Sequence, residues 1–192
     1  MRPGLATLIL GLAAALFGSG AATALLIDDF SRENASALGT KWQTFTDRVM
    51  GGVSDGQASF ETLAGKRCLR LKGTVSLENQ GGFVQAALPL VKQGGSFDAA
   101  TYRGIRLWVR GNGATYYVHL RTADTRLPWQ YYEAAFEAGA DWKQVDIPFS
   151  AFDPENLNAA LDLGNLKRLA IVAAKKAFEA DIAVARIEFF AD

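Results

Sequence analysis

Residues 105–122 read IRLWVRGNGATYYVHLRT, and their alternation decides the fold class. Side chains along a β-strand point to opposite faces in turn. In residues 105–110 the aliphatic Ile105, Leu107 and Val109 therefore share one face, and Arg106, Trp108 and Arg110 the other. In residues 116–122, Tyr116, Val118 and Leu120 oppose Tyr117, His119 and Arg121. Gly111-Asn112-Gly113 between them suits a tight turn, because glycine and asparagine accept positive φ. The two strands are thus expected to pair as a hairpin with one aliphatic core face. Its other face would gather Arg106, Trp108, Arg110, Tyr117, His119 and Arg121. Two readings of that face stand: a solvated surface whose arginines pair with acids such as Glu133, or a binding face, since guanidinium forks and flat rings suit planar, sugar or protein ligands.

The same signal extends outward. Short alternating runs separated by Gly, Asn, Asp and Pro predict strands at residues 26–29, 42–47, 57–62, 68–72, 75–78, 83–88, 105–110, 115–122, 131–137, 143–147, 168–173 and 182–190. Helical periodicity is scarce, apart from a helical turn expected around residues 154–164 with Asp153 as its cap. Many short strands in one chain predict an all-β fold, an antiparallel β-sandwich or jelly roll. The chain has 192 residues, no internal repeat and no linker, so residues 25–192 read as one domain.

Composition removes several function classes. Apolar residues make up 49% and charged residues 21%, which is ordinary for a globular chain. Lys plus Arg and Asp plus Glu both total 20, so no global field recruits nucleic acid or anionic lipid. Cys68 is the only cysteine, which excludes an intramolecular disulfide, and its CLRL context reads as a buried strand position. His119 is the only histidine. A Ser-His-Asp triad would also need a nucleophile elbow, and no GxSxG occurs; a zinc site would need more ligands. Calcium between sandwich loops is conceivable, but no DxDxDG-like run is present, and neither a metal nor a cofactor is expected.

Residues 1–24 read MRPGLATLILGLAAALFGSGAATA: one early cation, Arg2, an apolar stretch, then small residues ending in Ala22-Thr23-Ala24. This is the layout of a cleavable secretory signal, with cleavage expected near Ala24 and a periplasmic or secreted product. The alternative is an uncleaved N-terminal membrane anchor. After cleavage no integral membrane span is expected.

Two loops carry the remaining candidates. In residues 42–56, WQTFTDRVMGGVSDG, Asp47 and Arg48 stand beside Val49 and Met50, and Gly51-Gly52 permit a tight backbone path. The loop either packs Met50 into the sandwich or meets a ligand or partner; it lacks the spacing of a phosphate loop. In residues 76–83, SLENQGGF, Glu78 and Asn79 close one strand, and Glu78 either pairs with Arg48 or Arg110 or faces a ligand. Trp108, Trp129, Tyr131 and Tyr132 offer rings on which sugars could stack. An enzyme would have to use carboxylates such as Asp47 and Glu78 across a cleft.

DRVMGGVSDG at 47–56, SLENQGGF, YRGIRLWVRGNG at 102–113 with Tyr116, LRT at 120–122, and Trp142 followed by PFSAF at 148–152 occur in an order that resembles the complex I intermediate-associated protein family. Its best-known member is a mitochondrial complex I assembly factor. The resemblance runs from about Asp28 to Phe189. Its signature residues fall here on Trp42, Asp47, Val49, Met50, Gly51, Gly52, Ser54, Gly56, Glu78, Asn79, Gly81, Gly82, Phe83, Gly104, Arg110, Gly111, Gly113, Tyr116, Arg121, Trp142, Pro148 and Phe149. It implies a galactose-binding-like β-sandwich, no catalytic machinery, and a role in binding or assembling proteins. The signal segment departs from the mitochondrial case, because an exported domain meets only the outward faces of an inner-membrane complex. The expected partner is therefore a protein of the cell envelope, with complex I as one possibility carried by the resemblance, or else a glycan. The candidate contacts are Asp47, Arg48, Met50, Glu78, Asn79, Trp108, Arg110, Tyr117, His119, Arg121 and Tyr131.

Overall fold

The computed structural model describes residues 23–33 and 35–191, so the expected signal segment lies outside the described residues except for its last two. The strands are β1 (Leu25–Asp28), β2 (Gln43–Thr46), β3 (Asp55–Leu63), β4 (Lys66–Val75), β5 (Phe83–Pro89), β6 (Gly104–Gly111), β7 (Thr115–Thr122), β8 (Tyr131–Glu137), β9 (Lys143–Pro148), β10 (Asp153–Glu155), β11 (Leu166–Ala174) and β12 (Phe178–Phe190). They form two six-stranded sheets. Sheet A runs β3-β4-β12-β6-β9 with β1 also on β12; sheet B runs β10-β8-β7-β11-β5-β2. All the strand pairs are antiparallel.

The alternation works as the sequence suggests. Ile105, Leu107 and Val109 from β6 and Tyr116, Val118 and Leu120 from β7 are fully buried in one core between the sheets. Leu69 and Leu71 of β4, Leu169 and Ile171 of β11 and Ile182, Ile187 and Phe189 of β12 complete it. Burying a Leu, Ile, Val or Phe side chain stabilises by roughly 1.5–3 kcal/mol, so this interior holds the sheets face to face.

The expected hairpin does not form. β6 pairs with β9 and β12 in sheet A, whereas β7 pairs with β8 and β11 in sheet B. The segment between them crosses from one sheet to the other, and its N–H groups bond to the chain just past β8: Gly111 to the carbonyl of Gly139, and Gly113 to that of Ala138. A Cβ on Gly111 would lie 2.8 Å from that of Ala138. Asn112 stitches the corner by accepting from the Tyr116 hydroxyl at 2.8 Å and donating to the Glu179 carbonyl at 2.7 Å. Arg106, Trp108 and Arg110 therefore lie on the opposite outer surface from Tyr117, His119 and Arg121.

Smaller differences have local causes. The strand expected at 68–72 extends through Gly73 to Val75 as β4; at Gly73 a Cβ would meet the Asp55 carbonyl at 2.2 Å, so only glycine allows β3 to approach, and the separate strand expected at 75–78 does not form, because Glu78–Gln80 coil into a 3₁₀ turn instead. Residues 153–155 form the short edge strand β10 on β8 in place of a helical turn. Asp162, not Asp153, caps the single 3₁₀ turn that follows, at Leu163–Asn165. Cys68 is buried, as its strand context suggests.

Candidate binding cleft

The outer face of sheet B is a trough because its central strand β11 carries small residues there. Ala170 lies in register with Ala87 and His119, and Val172 with Gln85 and Tyr117. Ala87, Ala170, Val172 and Ala174 are buried against Phe45, Phe83 and Tyr117, a second apolar cluster separate from the core. Above this floor opens a cleft of about 380 Å³.

One wall is the 3₁₀ turn Asp47–Met50 together with the Gly81-Gly82 turn, and Asp47 fastens the two. Its side chain is fully buried and accepts from the Ser54 N–H at 2.9 Å, the Ser54 hydroxyl, the Gly82 N–H and the Phe83 N–H at 3.4 Å. Burial pushes its carboxyl up, yet those donors outweigh burial and hold it below the usual value. A Cβ on Gly52 would come within 2.3 Å of this carboxylate and one on Gly81 within 2.4 Å. The glycines therefore provide the space that Asp47 fills. Val49 and Met50, 68% and 50% exposed, project from the wall beside Leu77.

The other wall is the loop 122–130 between β7 and β8. Arg121 holds it from beneath, donating to the Thr125 carbonyl at 2.7 Å, the Leu127 carbonyl at 2.8 Å and the Thr125 hydroxyl at 3.3 Å. Gln130 accepts from the N–H groups of Arg126 and Leu127, and Asn156 donates to the Trp129 carbonyl. Pro128 and the half-exposed Trp129 line the cleft from this loop.

At the cleft's β8 side, the His119 imidazole stacks on Tyr131 with centroids 4.0 Å apart and planes 10° from parallel. Glu133 is bound by Lys175 and lies 3.5 Å from His119 Nε2. Burial drives the imidazole below its ordinary 6.5 despite that neighbouring carboxylate. Burial opposes ionisation of Glu133 too, but His119 and Lys175 hold its carboxyl at about 2. Lys175 also reaches Glu155 at 3.4 Å and lies 5.3 Å from the Tyr117 ring centroid.

The structure thus divides the sequence candidates. Met50, His119, Arg121 and Tyr131 line the cleft, and Tyr117 packs in its floor. Asp47 is a buried hub rather than a ligand contact. Arg48 is turned away, donating to the Ser54 carbonyl at 3.0 Å and pairing with Asp55 at 3.5 Å instead of Glu78. Glu78 and Asn79 are exposed beside the cleft without lining it. Trp108 and Arg110 belong to sheet A; Arg110 borders a recess there with Arg70 and Asp181, and among the described residues it forms no ion pair with Glu78. The acid paired with the cleft's basic side is Glu133, but its cation is Lys175, not an arginine. Tyr132 is fully buried with its hydroxyl on the Ala160 carbonyl, so it offers no ring to a ligand. Phe45, Leu77, Phe83, Arg168 and Lys175 were not among the candidates and do line the cleft. Among the described residues no group of three His, Cys, Asp or Glu side chains is placed to hold a metal ion.

Solved structures with this architecture include the family 11 carbohydrate-binding module of the cellulosomal cellulase Lic26A-Cel5E of Clostridium thermocellum, 14% identical, with a TM-score of 0.66 over 88% of this chain and 95% of that one. The same kind of module in complex with a β-1,3-1,4-mixed-linked tetrasaccharide aligns equally well, at 14% identity and TM-score 0.66, covering 88% of this chain and 96% of that one. The family 30 module of the Clostridium thermocellum cellulase CEL9D-CEL44B follows at 14% identity and TM-score 0.61, covering 89% and 99%. At such identities the likeness is one of fold, a galactose-binding-like β-sandwich. No curated protein sequence matches the chain. The sequence pattern described by the family model for complex I intermediate-associated protein 30 (CIA30) matches residues 29–182, and with the ordered motifs around Asp47, Gly81 and Arg121 it establishes that the chain belongs to the CIA30 family.

Proposed function

We propose that this chain is an exported, non-catalytic binding module that holds an apolar segment of a protein partner in the cleft of sheet B. One observation carries the reading. Of the large hydrophobic side chains exposed among the described residues, Val49, Met50, Leu77 and Trp129 line this cleft and Leu127 stands in the same loop as Trp129. Exposed apolar groups gathered at one recess mark an interaction site. Most of them are aliphatic, and aliphatic groups gain by burying aliphatic groups, whereas sugar faces are met by flat rings. The family's description, with its association with complex I intermediates, supports a protein ligand; export through residues 1–24 would direct the module to partners outside the cytoplasm.

A glycan is the second reading. It is favoured by Trp129, a half-exposed ring at the cleft mouth, and by the carbohydrate-binding modules that share the fold.

A random-peptide phage library and the β-1,3-1,4-mixed-linked tetrasaccharide, offered in parallel to the protein, separate the two. The expected result is enrichment of peptides with aliphatic residues, whose binding is lost in the Met50→Ser/Leu77→Ser double variant and kept in Trp108→Ala. Saturable tetrasaccharide binding that disappears in Trp129→Ala, with no peptide enriched, would overturn the proposal in favour of the glycan. N-terminal sequencing of the protein expressed from its full gene checks export, which requires a mature start near Leu25.

A further inference from the structure

We infer that the ligand of this cleft carries a carboxylate, and that Arg168 is its anchor. The inference rests on the reading of the cleft as a site for a protein segment, and it names the chemistry of that segment: aliphatic side chains for the rim and one acidic group for the floor at its β7–β11 end.

The cationic groups lining the cleft are Arg121, Arg168 and Lys175, and no Asp or Glu lines it. Two of the three are already occupied. Lys175 is paired with Glu133 and Glu155. Arg121 has its guanidinium on two carbonyls and a hydroxyl of the loop 122–130. It therefore positions that wall and has its fork turned away from a ligand. Arg168 differs: it is half-buried, with its guanidinium carbon over the face of the Phe45 ring, 5.7 Å from the ring centroid. That contact leaves the edge of the guanidinium, with its forked N–H donors, without a carboxylate among the described residues.

Arg168 also stands directly across from Arg121 in the β11–β7 register. Like charges opposite one another across strands are destabilising. Burial, and then the charge of Arg168, lower the affinity of Arg121 for its proton. A half-buried pair of like charges without a counter-ion is a standing cost that an incoming anion relieves. A carboxylate matches the guanidinium fork in a bidentate way. The small floor at Ala170, two residues beyond Arg168 on the same face of β11, and at its β5 partner Ala87 leaves room for a side chain to descend.

The test uses the peptides selected on the wild-type protein and amide counterparts in which their Asp or Glu is replaced by Asn or Gln. The expected result is an acidic residue at a fixed position relative to the aliphatic ones, about tenfold or greater loss of affinity on amidation, and a steep salt dependence for the acidic form alone. In Arg168→Gln the acid and amide forms should bind equally, and the variant should melt no lower than wild type because the repulsion with Arg121 is gone. Arg168→Lys should keep part of the salt dependence and lose most of the acid preference. Aliphatic peptides without an acid, or an acid preference unchanged in Arg168→Gln, would overturn the inference while leaving the protein-segment reading intact. If only glycans bind, the proposed function fails by itself. A uronic acid oligosaccharide compared with the neutral tetrasaccharide then decides the anchor: an Arg168-dependent preference for the uronate upholds the carboxylate site, and equal binding refutes it.

Discussion

Replacing Asp47 by alanine should cost this domain several kcal/mol, although the residue is short, polar and located in a surface turn. The reason is the number of donors aimed at it. Three backbone N–H groups, from Ser54, Gly82 and Phe83, and the Ser54 hydroxyl converge on the carboxylate. In Asp47→Ala the hydroxyl keeps an acceptor, the Ser76 carbonyl at 3.2 Å, but the three N–H groups do not. A buried donor left unpaired costs about 1–3 kcal/mol. Allowing for water entering the vacated space, the loss should be roughly 3–5 kcal/mol. For a domain of this size that lowers the melting temperature by on the order of 10 °C. Asp47→Asn should lose about 2 kcal/mol, because whichever way its amide turns, one N–H group faces another. Urea unfolding at pH 7 measures both. Linkage supplies a second reading. The folded carboxyl titrates below its ordinary 3.8, so its stabilisation is present above that value and disappears as pH falls through the lower folded value. The gap between wild type and Asp47→Ala should accordingly narrow as pH falls below 3.8. A loss under about 1 kcal/mol, or a gap independent of pH, would refute the account of Asp47 as the hub of this wall.

Other outcomes follow from the same geometry. Gly51 has φ of 89° with open space around it, so Gly51→Ala should cost about 1 kcal/mol of backbone strain, whereas Gly52→Ala should cost more, because its Cβ collides with the Asp47 carboxylate; paired melting curves check the order. The folded protein binds a proton on His119 less readily than the unfolded chain, so stability should decline as pH drops below 6.5, and Glu133, held at about 2, adds to the decline below its ordinary 4.5; urea midpoints between pH 8 and 3 for wild type and His119→Phe separate the two steps. Gly111→Ala should destabilise the sheet-to-sheet corner, where its Cβ would meet Ala138 and, at 3.1 Å, the Asp181 carbonyl, and hydrogen exchange should rise in residues 111–116 first.

The fold was legible because almost every strand hides one face, and that is a property of sequence alone. Which sheet a strand joins was not, because the two inner faces of a sandwich are equally aliphatic. Ile105-Leu107-Val109 and Tyr116-Val118-Leu120 look the same whether their strands are neighbours or stand across the core. The cleft was legible in part for a related reason. His119, Arg121 and Tyr131 are polar or aromatic residues alternating with core positions. Arg168 stands in LKRLAIVAA, where Ala170, Val172 and Ala174 are apolar on the outward face as well, so the run reads as a strand buried on both sides. What makes that face a floor is the height of its neighbours Phe45, Phe83 and Tyr117, which come from other strands. Asp47 could be recognised as special beside Gly51-Gly52, but the second glycine pair it bonds to lies in another loop.

The two outer surfaces of the sandwich differ in a way that bears on the proposed binding site. They share composition, alternation and arginines, and they differ in how their charges are satisfied. On sheet A, Arg70 grips Asp181 with two bonds and Glu61 with a third, Arg106 lies on Asp146, and Arg186 donates to Glu188. Arg110 borders the recess that Arg70 and Asp181 also line. On sheet B an arginine with no acid partner among the described residues, a rim of exposed aliphatic side chains and a half-exposed tryptophan share one cleft, and its walls are held by Asp47 and Arg121. Exposed apolar groups and unneutralised charge both cost stability in the isolated domain, whereas the bonds that fix the walls reduce the ordering required on binding. A surface that is costly to leave empty, yet held rigid, is expected where a ligand supplies the missing partners. Pairing accounts for most of the charge on sheet A; on sheet B it leaves Arg168 without an acid among the described residues and Met50 and Leu77 exposed. A partner segment with aliphatic side chains and one carboxylate accounts for all three at once.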